Sequence, residues 1–395
     1  MLTGKTIVLG VTGSIAAYKT ANLASMLVKL GADVHVIMTQ NATKFITPMT
    51  FETLTDNKCI ADTFDRNFSF DVKHVSLAKK GDLFMVAPCT ANVIGKLAAG
   101  ICDDMLTTTL LATKAPKILA PAMNTGMWEN PILQDNIQKL KHYGYHIIEP
   151  VEGRLACGDI GSGKMPSEEV LLEHILLHLA KDKDLKGRKI LVTAGPTQEA
   201  IDPVRFITNH SSGKMGYAIA KMAVLRGAEV TLVSGPVSLQ SFAGIEFVPV
   251  VSAADMFEAV TSRSAQHDII IMCSAVADYT PANYANHKVK KQDGDLSIAL
   301  KRTNDILGWL GEHKKEGQIL VGFSMETENL IENSREKLAK KQADLICANS
   351  ISGNQTGFAV DTNQVTLITQ AGVVNLPLCS KEETANLILD HINSL

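Results

Sequence analysis

Two stretches of this chain repeat one another. GKTIVLGVTGS, beginning at Gly4, is echoed by GRKILVTAGPT at Gly187, and LGADVHVIMT at Leu30 by RGAEVTLVSG at Arg226. Each pair reads as an apolar run into a glycine turn, then a helical period into a second apolar run. That is the pattern of parallel strands joined by a crossover helix. A duplicated unit of this kind confines the chain to an α/β class with two Rossmann-like, doubly wound parallel-sheet domains. A length of 395 residues suits two cores. The helical stretch SEEVLLEHILLHLAKDKDLKG ends in alternating charges and a glycine, which puts the seam near Lys183 to Gly187 and the domains at 1–185 and 186–395. The first repeat is displaced by 183 positions (Ile7 to Ile190) and the second by 196 (Gly31 to Gly227), so the second copy carries 13 extra residues. They fall between its first strand and first helix, within GPTQEAIDPVRFITNHSSGKMG, where a doubly wound sheet takes its ligand.

A formal charge of -3 and a pI near 6.4 leave no basic footprint for nucleic acid and no polybasic membrane patch. No apolar run approaches the roughly 20 residues of a membrane span, and MLTGKTIVLGVTG passes directly into a strand-like run rather than a signal-peptide pattern. A cytoplasmic enzyme of small molecules is the expectation. The seven cysteines, Cys59, Cys89, Cys102, Cys157, Cys273, Cys347 and Cys379, include no CxxC pair and are odd in number, which argues against a disulfide framework or a zinc site. Most are expected to be buried. Cys157 differs, because EGRLACGDIGSGKMPS has the composition of a loop in which a thiol is reachable. His174 and His178 share a helix face, but Glu173 precedes the first instead of following it, so the zinc-protease pattern is not met.

Candidate binding residues gather at the ends of the apolar runs. In GVTGSIAAYK the backbone at Gly13 and Ser14 can meet a phosphate at a helix start, although a tight turn needs glycine with or without a ligand. The second strand ends in Thr39, Gln40 and Asn41 with no acid, so a mononucleotide such as FMN fits better than NAD. APCTAN brings Thr90 and Asn92, of which Thr90 equally suits a helix cap. KHVSLAKK offers His74 as a base or as a surface residue. In PAMNTGMW, Asn124 stands at a strand end between Met123 and Met127, as a ligand amide or a turn cap. In the second half, Met215 after Lys214 breaks the Walker spacing in HSSGKMG. The run Lys288, Val289, Lys290, Lys291 is either a solvated face or a triphosphate clamp.

Together GVTGSIAAYK, His74 in KHVSLAKK, APCTAN and PAMNTGMW resemble the homo-oligomeric flavin-containing cysteine decarboxylases, which are flavodoxin-like. VTAGPTQEAIDPVRFITNHSSGKMG, AVADY, KVKK and VGFSMETE resemble the phosphopantothenate–cysteine ligases. The fused order is similar to the bacterial bifunctional enzymes of coenzyme A synthesis that join the two activities. The resemblance implies that 4'-phosphopantothenate is coupled to cysteine through an acyl-cytidylate made from CTP. An FMN-dependent decarboxylation to 4'-phosphopantetheine then follows. It gives His74 the part of base, Asn124 the substrate carboxylate with Met123 and Met127 as an apolar wall, and Cys157 the part of proton donor to an enethiol. In the ligase half it assigns Met272, Cys273, Ser274, Asp278, Asn304, Asp305, Ile306, Leu307, Phe323, Lys337 and Lys341 to CTP. Lys288 then meets the phosphates and Asn209 the acyl-cytidylate. Magnesium is expected on the triphosphate, with trimeric contacts in the decarboxylase half and dimeric ones in the ligase half. Two other readings are a non-enzymatic flavoprotein, as among phosphatase-regulating relatives, and a flavin-dependent reductase.

Overall fold

Six consecutive buried residues, Thr6–Val11, form the first strand, β1. Full burial is what a strand meets when helices cover both faces of a parallel sheet. The computed structural model describes residues 1–63, 73–155, 158–290, 297–326, 329–350 and 360–395, and the chain divides into Met1–Lys181 and Asp182–Leu395.

In the first unit β1 is followed by α1 (Ala17–Lys29), β2 (Asp33–Met38), α2 (Pro48–Thr55), α3 (Lys73–Lys80), β3 (Leu83–Cys89), α4 (Ala91–Ala99) and α5 (Met105–Ala112). Then come β4 (Lys117–Pro121), α6 (Thr125–Trp128), α7 (Pro131–His142), β5 (Tyr145–Ile147), a hairpin of β6 (Val151–Arg154) and β7 (Ile160–Lys164), and α8 (Glu168–Leu179). β1 to β5 make one parallel sheet in the order β2-β1-β3-β4-β5. This is the flavodoxin-like order, with its switch point between β1 and β3. α1 lays Ala17, Thr20, Leu23, Ala24 and Leu27 on the sheet, the spacing of a one-sided helix. Phe84, Leu106, Leu119 and Ile137 share the core.

The second unit opens with β8 (Lys189–Ala194), the hairpin β9 (Gln198–Ala200) and β10 (Phe206–Thr208), α9 (Lys214–Leu225), β11 (Glu229–Ser234), β12 (Ile245–Pro249) and α10 (Ala253–Ser264). It continues with β13 (Ile269–Met272), β14 (Tyr279–Pro281), β15 (Leu300–Arg302), α11 (Ile306–Glu312), β16 (Ile319–Glu326) and α12 (Leu330–Lys340). β17 (Leu345–Ser350), β18 (Thr362–Asn363), β19 (Val365–Ile368), β20 (Val373–Asn375), β21 (Cys379–Ser380) and α13 (Lys381–Asn393) close it. The large sheet runs β12-β11-β8-β13-β16-β17-β19-β20. Its first six strands are parallel in the Rossmann order. A wholly parallel sheet was expected, but β19 and β20 are antiparallel additions. Residues 369–372 between them are too few for a parallel crossover. The extra residues of the second copy are the β9–β10 hairpin: residues 195–213 separate β8 from α9, against 12–16 between β1 and α1.

Among the described residues no helix is long and apolar enough to cross a membrane. Cys59, Cys89 and Cys347 are buried as expected, Cys273 and Cys379 are partly buried, and Cys102 is exposed.

The His174 and His178 pair acquires a third member on β5. His146 Nε2 lies 2.9 Å from His174 Nδ1, and the His146 and His178 ring centres are 5.6 Å apart. A bond between two imidazoles requires one nitrogen to accept and so to be unprotonated. Burial first, then the neighbouring His146 and His178, pushes His174 down to about 4. Burial and Lys141 depress His146 as well. Since the unfolded value lies near 6.5, the unfolded chain binds between about pH 6.5 and pH 4 a proton that the folded chain refuses. Stability is therefore lost as pH falls through that window. Between pH 7 and pH 5 the β5–α8 contact should weaken by about 1 kcal/mol more in the native chain than in His174→Gln, after allowing for solvent screening. Amide exchange in β5 and α8 at both pH values checks this, and equal weakening contradicts it.

Candidate active sites

At the carboxyl edge of the first sheet the loops after β1 and β3 are tied by one side chain. The buried Thr12 hydroxyl donates to Pro88 O (2.7 Å) and accepts from Thr90 N (3.1 Å). That edge, at the switch point, is where open sheets take ligands. Ser14 lies in the turn into α1, its Oγ 3.3 Å from Ala16 N. Gly13 is pressed against Asn41, whose Cβ would stand 2.6 Å from any Cβ added there. Thr39, the residue after β2, accepts from Ala42 N (3.3 Å). Thr90 occupies the cap position of α4 but its side chain makes no capping bond, so capping does not account for that hydroxyl. Asn92 is exposed on the first turn of α4.

A cleft of about 530 Å³ opens here, with Ser14, Ile15, Tyr18, Lys19, Met123, Asn124, Arg154, Lys164 and Met165 in its lining. Apolar walls with a few cations suit a flat aromatic ring carrying a phosphate. The start of α1, at Ser14 and Lys19, provides N–H groups and a positive end for that phosphate. The residues therefore fit a flavin mononucleotide. Asn124 caps α6, its Oδ1 accepting from Gly126 N (2.8 Å) while Nδ2 reaches Asp159 Oδ2 (3.4 Å). The turn-cap reading of Asn124 is the one seen, and the cap sets its amide in the lining of the cleft.

EGRLACGDIGSGKMPS, expected to be a loop, instead contributes an antiparallel hairpin, β6 with β7. Two of its glycines, which composition reads as loop formers, serve close approach: a Cβ on Gly161 would lie 2.6 Å from Thr125 Oγ1, and Gly163 has φ +130° and would place a Cβ 2.3 Å from Met123 O. Met123 N donates to Gly163 O (3.0 Å), so the hairpin backbone rests on the loop that carries Asn124. Cys157 lies outside the described residues; on either side of it Leu155 N donates to Asp159 O (2.8 Å) and Gly158 N to Leu155 O (3.0 Å). Sequence reading missed Lys19, whose Nζ donates to Met165 O and Pro166 O (3.3 Å each), together with Arg154 and Lys164. The only signal was the last letter of GVTGSIAAYK, which looks like a surface lysine. His74, partly buried on the first turn of α3, and Met127, 49% exposed, do not line the cleft.

The second unit repeats the device. Buried Thr193 accepts from Cys273 N and Ser274 N (3.1 Å each), tying β8 to β13 across its switch point. A pocket of about 150 Å³ follows, bordered by Ser211, Ser212, Gly213 and Lys214 at the start of α9, by Cys273, Ser274 and Ala275 after β13, and by Phe323 of β16. Ser274 Oγ is buried without a hydrogen-bond partner among the described residues, a group suited to pairing with a polar ligand. Burial pushes the Cys273 thiol up to about 12, with Lys381 opposing, so it is a neutral wall group rather than a nucleophile.

Asn209, in the inserted segment, donates from Nδ2 to Ala275 O (3.0 Å). Thr303 N donates to Asp278 O (3.0 Å), and Asn304 and Asp305 follow. Asp305 caps α11 through Gly308 N (2.9 Å) and pairs with Lys341. Burial raises the Asp305 carboxyl, but the Lys341 and Gly308 bonds outweigh it and hold the group below the usual carboxylate range. Lys337 donates to Phe323 O (2.9 Å). The side chains of Met272, Ile306 and Leu307 are buried, so these three can offer a ligand only backbone groups. Lys288 is exposed and Lys291 lies outside the described residues. Among the described residues no group of three or more His, Cys, Asp or Glu side chains is placed to hold a metal.

The family model described as Flavoprotein matches residues 1–179. The one described as DNA/pantothenate metabolism flavoprotein C-terminal domain matches residues 185–395. The "Coenzyme A biosynthesis bifunctional protein CoaBC" of Bacillus subtilis is 50% identical over 100% of this chain and 98% of its own length. The protein of that name from Escherichia coli is 44% identical over 99% and 97%. A solved C-terminal domain of a CoaBC protein is 46% identical, covering 54% of this chain and 97% of its own, with a TM-score of 0.47. On the full-length matches, the chain belongs to the CoaBC family of bifunctional coenzyme A biosynthesis proteins, in which a flavoprotein decarboxylase half precedes a ligase half.

Proposed function

We propose that residues 186–395 couple 4'-phosphopantothenate to cysteine with CTP, and that residues 1–185 decarboxylate the product to 4'-phosphopantetheine with FMN. The observation that supports this reading is that each sheet has a pocket at its own switch point. One is apolar with cations around it; the other has Ser211, Ser212, Lys214 and the orphaned Ser274 hydroxyl in its wall.

In the ligase half, the N-terminus of α9 and Lys288 receive the triphosphate. The Asp278, Asn304, Asp305 and Lys341 group, with Phe323 and Lys337, receives the nucleoside. The pantothenate carboxylate attacks the α-phosphate and releases pyrophosphate. Asn209 then steadies the acyl-cytidylate while the cysteine amine displaces CMP. Magnesium accompanies the triphosphate, whose oxygens supply most of its ligands.

In the decarboxylase half, Asn124 holds the carboxylate of the cysteinyl substrate through a neutral amide, with no fixed charge to oppose its loss as CO2. Ser14 borders the FMN from the cleft wall; Gly13, Thr39, Thr90 and Asn92, which do not line the cleft, border it from the neighbouring strand-end loops. A bound flavin would take two electrons from the substrate's CH2–SH carbon, so that the electrons left by CO2 have an acceptor, and would give the two electrons back when the enethiol is reduced to the thiol. His74 takes a proton from the substrate and Cys157 returns one to the enethiol. A general base must come within hydrogen-bond reach of its proton, and His74 does not line the cleft. A site completed across the trimeric contacts implied by the decarboxylase family accounts for that position, and dimeric contacts belong to the ligase half.

The purified chain should release FMN on heating. With 4'-phosphopantothenate and cysteine, it should use CTP with a kcat/KM about 10-fold or more above that of ATP, as expected of a site that hydrogen-bonds the base. Preference for ATP would overturn the nucleotide assignment, and absence of FMN the cofactor.

A further inference from the structure

We propose that Asp202 is a positioning residue for Lys288, holding the lysine's segment against the inserted hairpin so that its ammonium meets the nucleotide phosphates. This rests on the reading of Lys288 given above and goes beyond it by naming what sets the lysine's place.

The Asp202 side chain is fully buried, while its partner Arg205 is 43% exposed. Asp202 Oδ1 accepts from Val204 N and Arg205 N (2.9 Å each). Oδ2 accepts from Arg205 Nε (3.0 Å), from Arg205 Nη2, and from Val289 N (3.1 Å). Arg205 Nη2 also donates to Val289 O (2.8 Å). Both backbone groups of the residue after Lys288 are thus gripped by one ion pair. Four positions earlier, Ala285 N donates to Ile201 O (3.0 Å). Residues 286–288 are held between two anchors, both on the segment that the second copy has and the first lacks. The Arg205 guanidinium, then the three backbone N–H groups, hold the Asp202 carboxyl well below the usual carboxylate range, so the grip is charge-assisted at any working pH. Nothing in the hairpin itself calls for a bond to Val289; its service is to the lysine segment. A misplacement of about 1 Å in a group that meets the reacting phosphate costs up to ~10²-fold in rate.

Asp202→Asn in the full chain is the direct test. An amide keeps one oxygen for Val204 N and Arg205 N but offers Val289 N another donor. Pyrophosphate release with CTP should fall about 10-fold or more, with the KM for CTP raised. Decarboxylation of supplied phosphopantothenoylcysteine stays at the native rate, and trypsin cuts after Lys288 or Lys290 sooner. In a Lys288→Ala background the same substitution should change pyrophosphate release less than about twofold, because the group it positions is gone. Losses that add across the cycle overturn the proposal and leave Asp202 to the hairpin alone. If Lys288→Ala by itself leaves pyrophosphate release intact, the reading of Lys288 fails instead, which is a distinguishable outcome. Val289→Pro removes the N–H that Asp202 accepts while leaving the pair with Arg205. It should reproduce the loss, and native pyrophosphate release in that variant overturns the proposal even if Asp202→Asn does not fold.

Discussion

Asn209→Asp is expected to stop amide synthesis while pyrophosphate is still released. The native amide nitrogen carries two N–H groups; one is committed to Ala275 O at 3.0 Å, beside the pocket that Ser274 and Ala275 line, and the other is left for the acyl-cytidylate. A carboxylate can donate neither. It would set an oxygen against the Ala275 carbonyl and repel the phosphate of the acyl-cytidylate. Loss of one such donor costs about 10² to 10³ in rate, and that fall is expected in amide product with cysteine saturating. Pyrophosphate and amide followed side by side give the answer. If both fall together and CTP no longer binds, Asn209 belongs to the nucleotide pocket. If neither changes, its place beside Ala275 carries no chemistry.

Gly163→Val should reduce decarboxylation about 10²-fold and leave the ligase reaction at its native rate. A Cβ at this position meets Met123 O at 2.3 Å and Met123 C at 3.3 Å, on a backbone of φ +130° that branched residues avoid. The hairpin must back away from the loop that carries Met123 and Asn124. The Met123 N to Gly163 O bond is lost, and a shift of about 1 Å in a substrate-holding group is enough for the predicted ~10²-fold loss. The assay is CO2 from supplied phosphopantothenoylcysteine, with amide formation measured on the same preparation. Decarboxylation within twofold of native would show that the close approach of hairpin and loop plays no part in the site.

How far the fold can be read from the residues follows from what is local. Strands buried on both faces, such as Thr6–Val11 and Lys189–Ala194, print continuous apolar runs, so the duplication and the doubly wound class are visible by eye. The hairpin inserted after β8 is visible as a mismatch between two displacements. Contacts between distant positions leave no such trace. His146 meets His174 across 28 positions, and Asp202 meets Val289 across 87. The glycines of β6 and β7 look like a loop because composition does not distinguish a residue needed for flexibility from one needed for close backbone approach. In the same way, the stretch from Asn304 to Leu307 reads as one binding motif, but α11 turns Ile306 and Leu307 into the core and leaves Asn304 and Asp305 at the surface.

One chain is proposed to perform two successive reactions at two separate pockets. This is tested most directly by supplying the full chain with 4'-phosphopantothenate, CTP and cysteine labelled at its carboxyl carbon, then measuring pyrophosphate, labelled CO2 and 4'-phosphopantetheine together. One CO2 and one 4'-phosphopantetheine are expected for each pyrophosphate at completion, with phosphopantothenoylcysteine rising and then falling. Pyrophosphate accumulating with no labelled CO2, or labelled CO2 appearing when CTP is omitted, would contradict it.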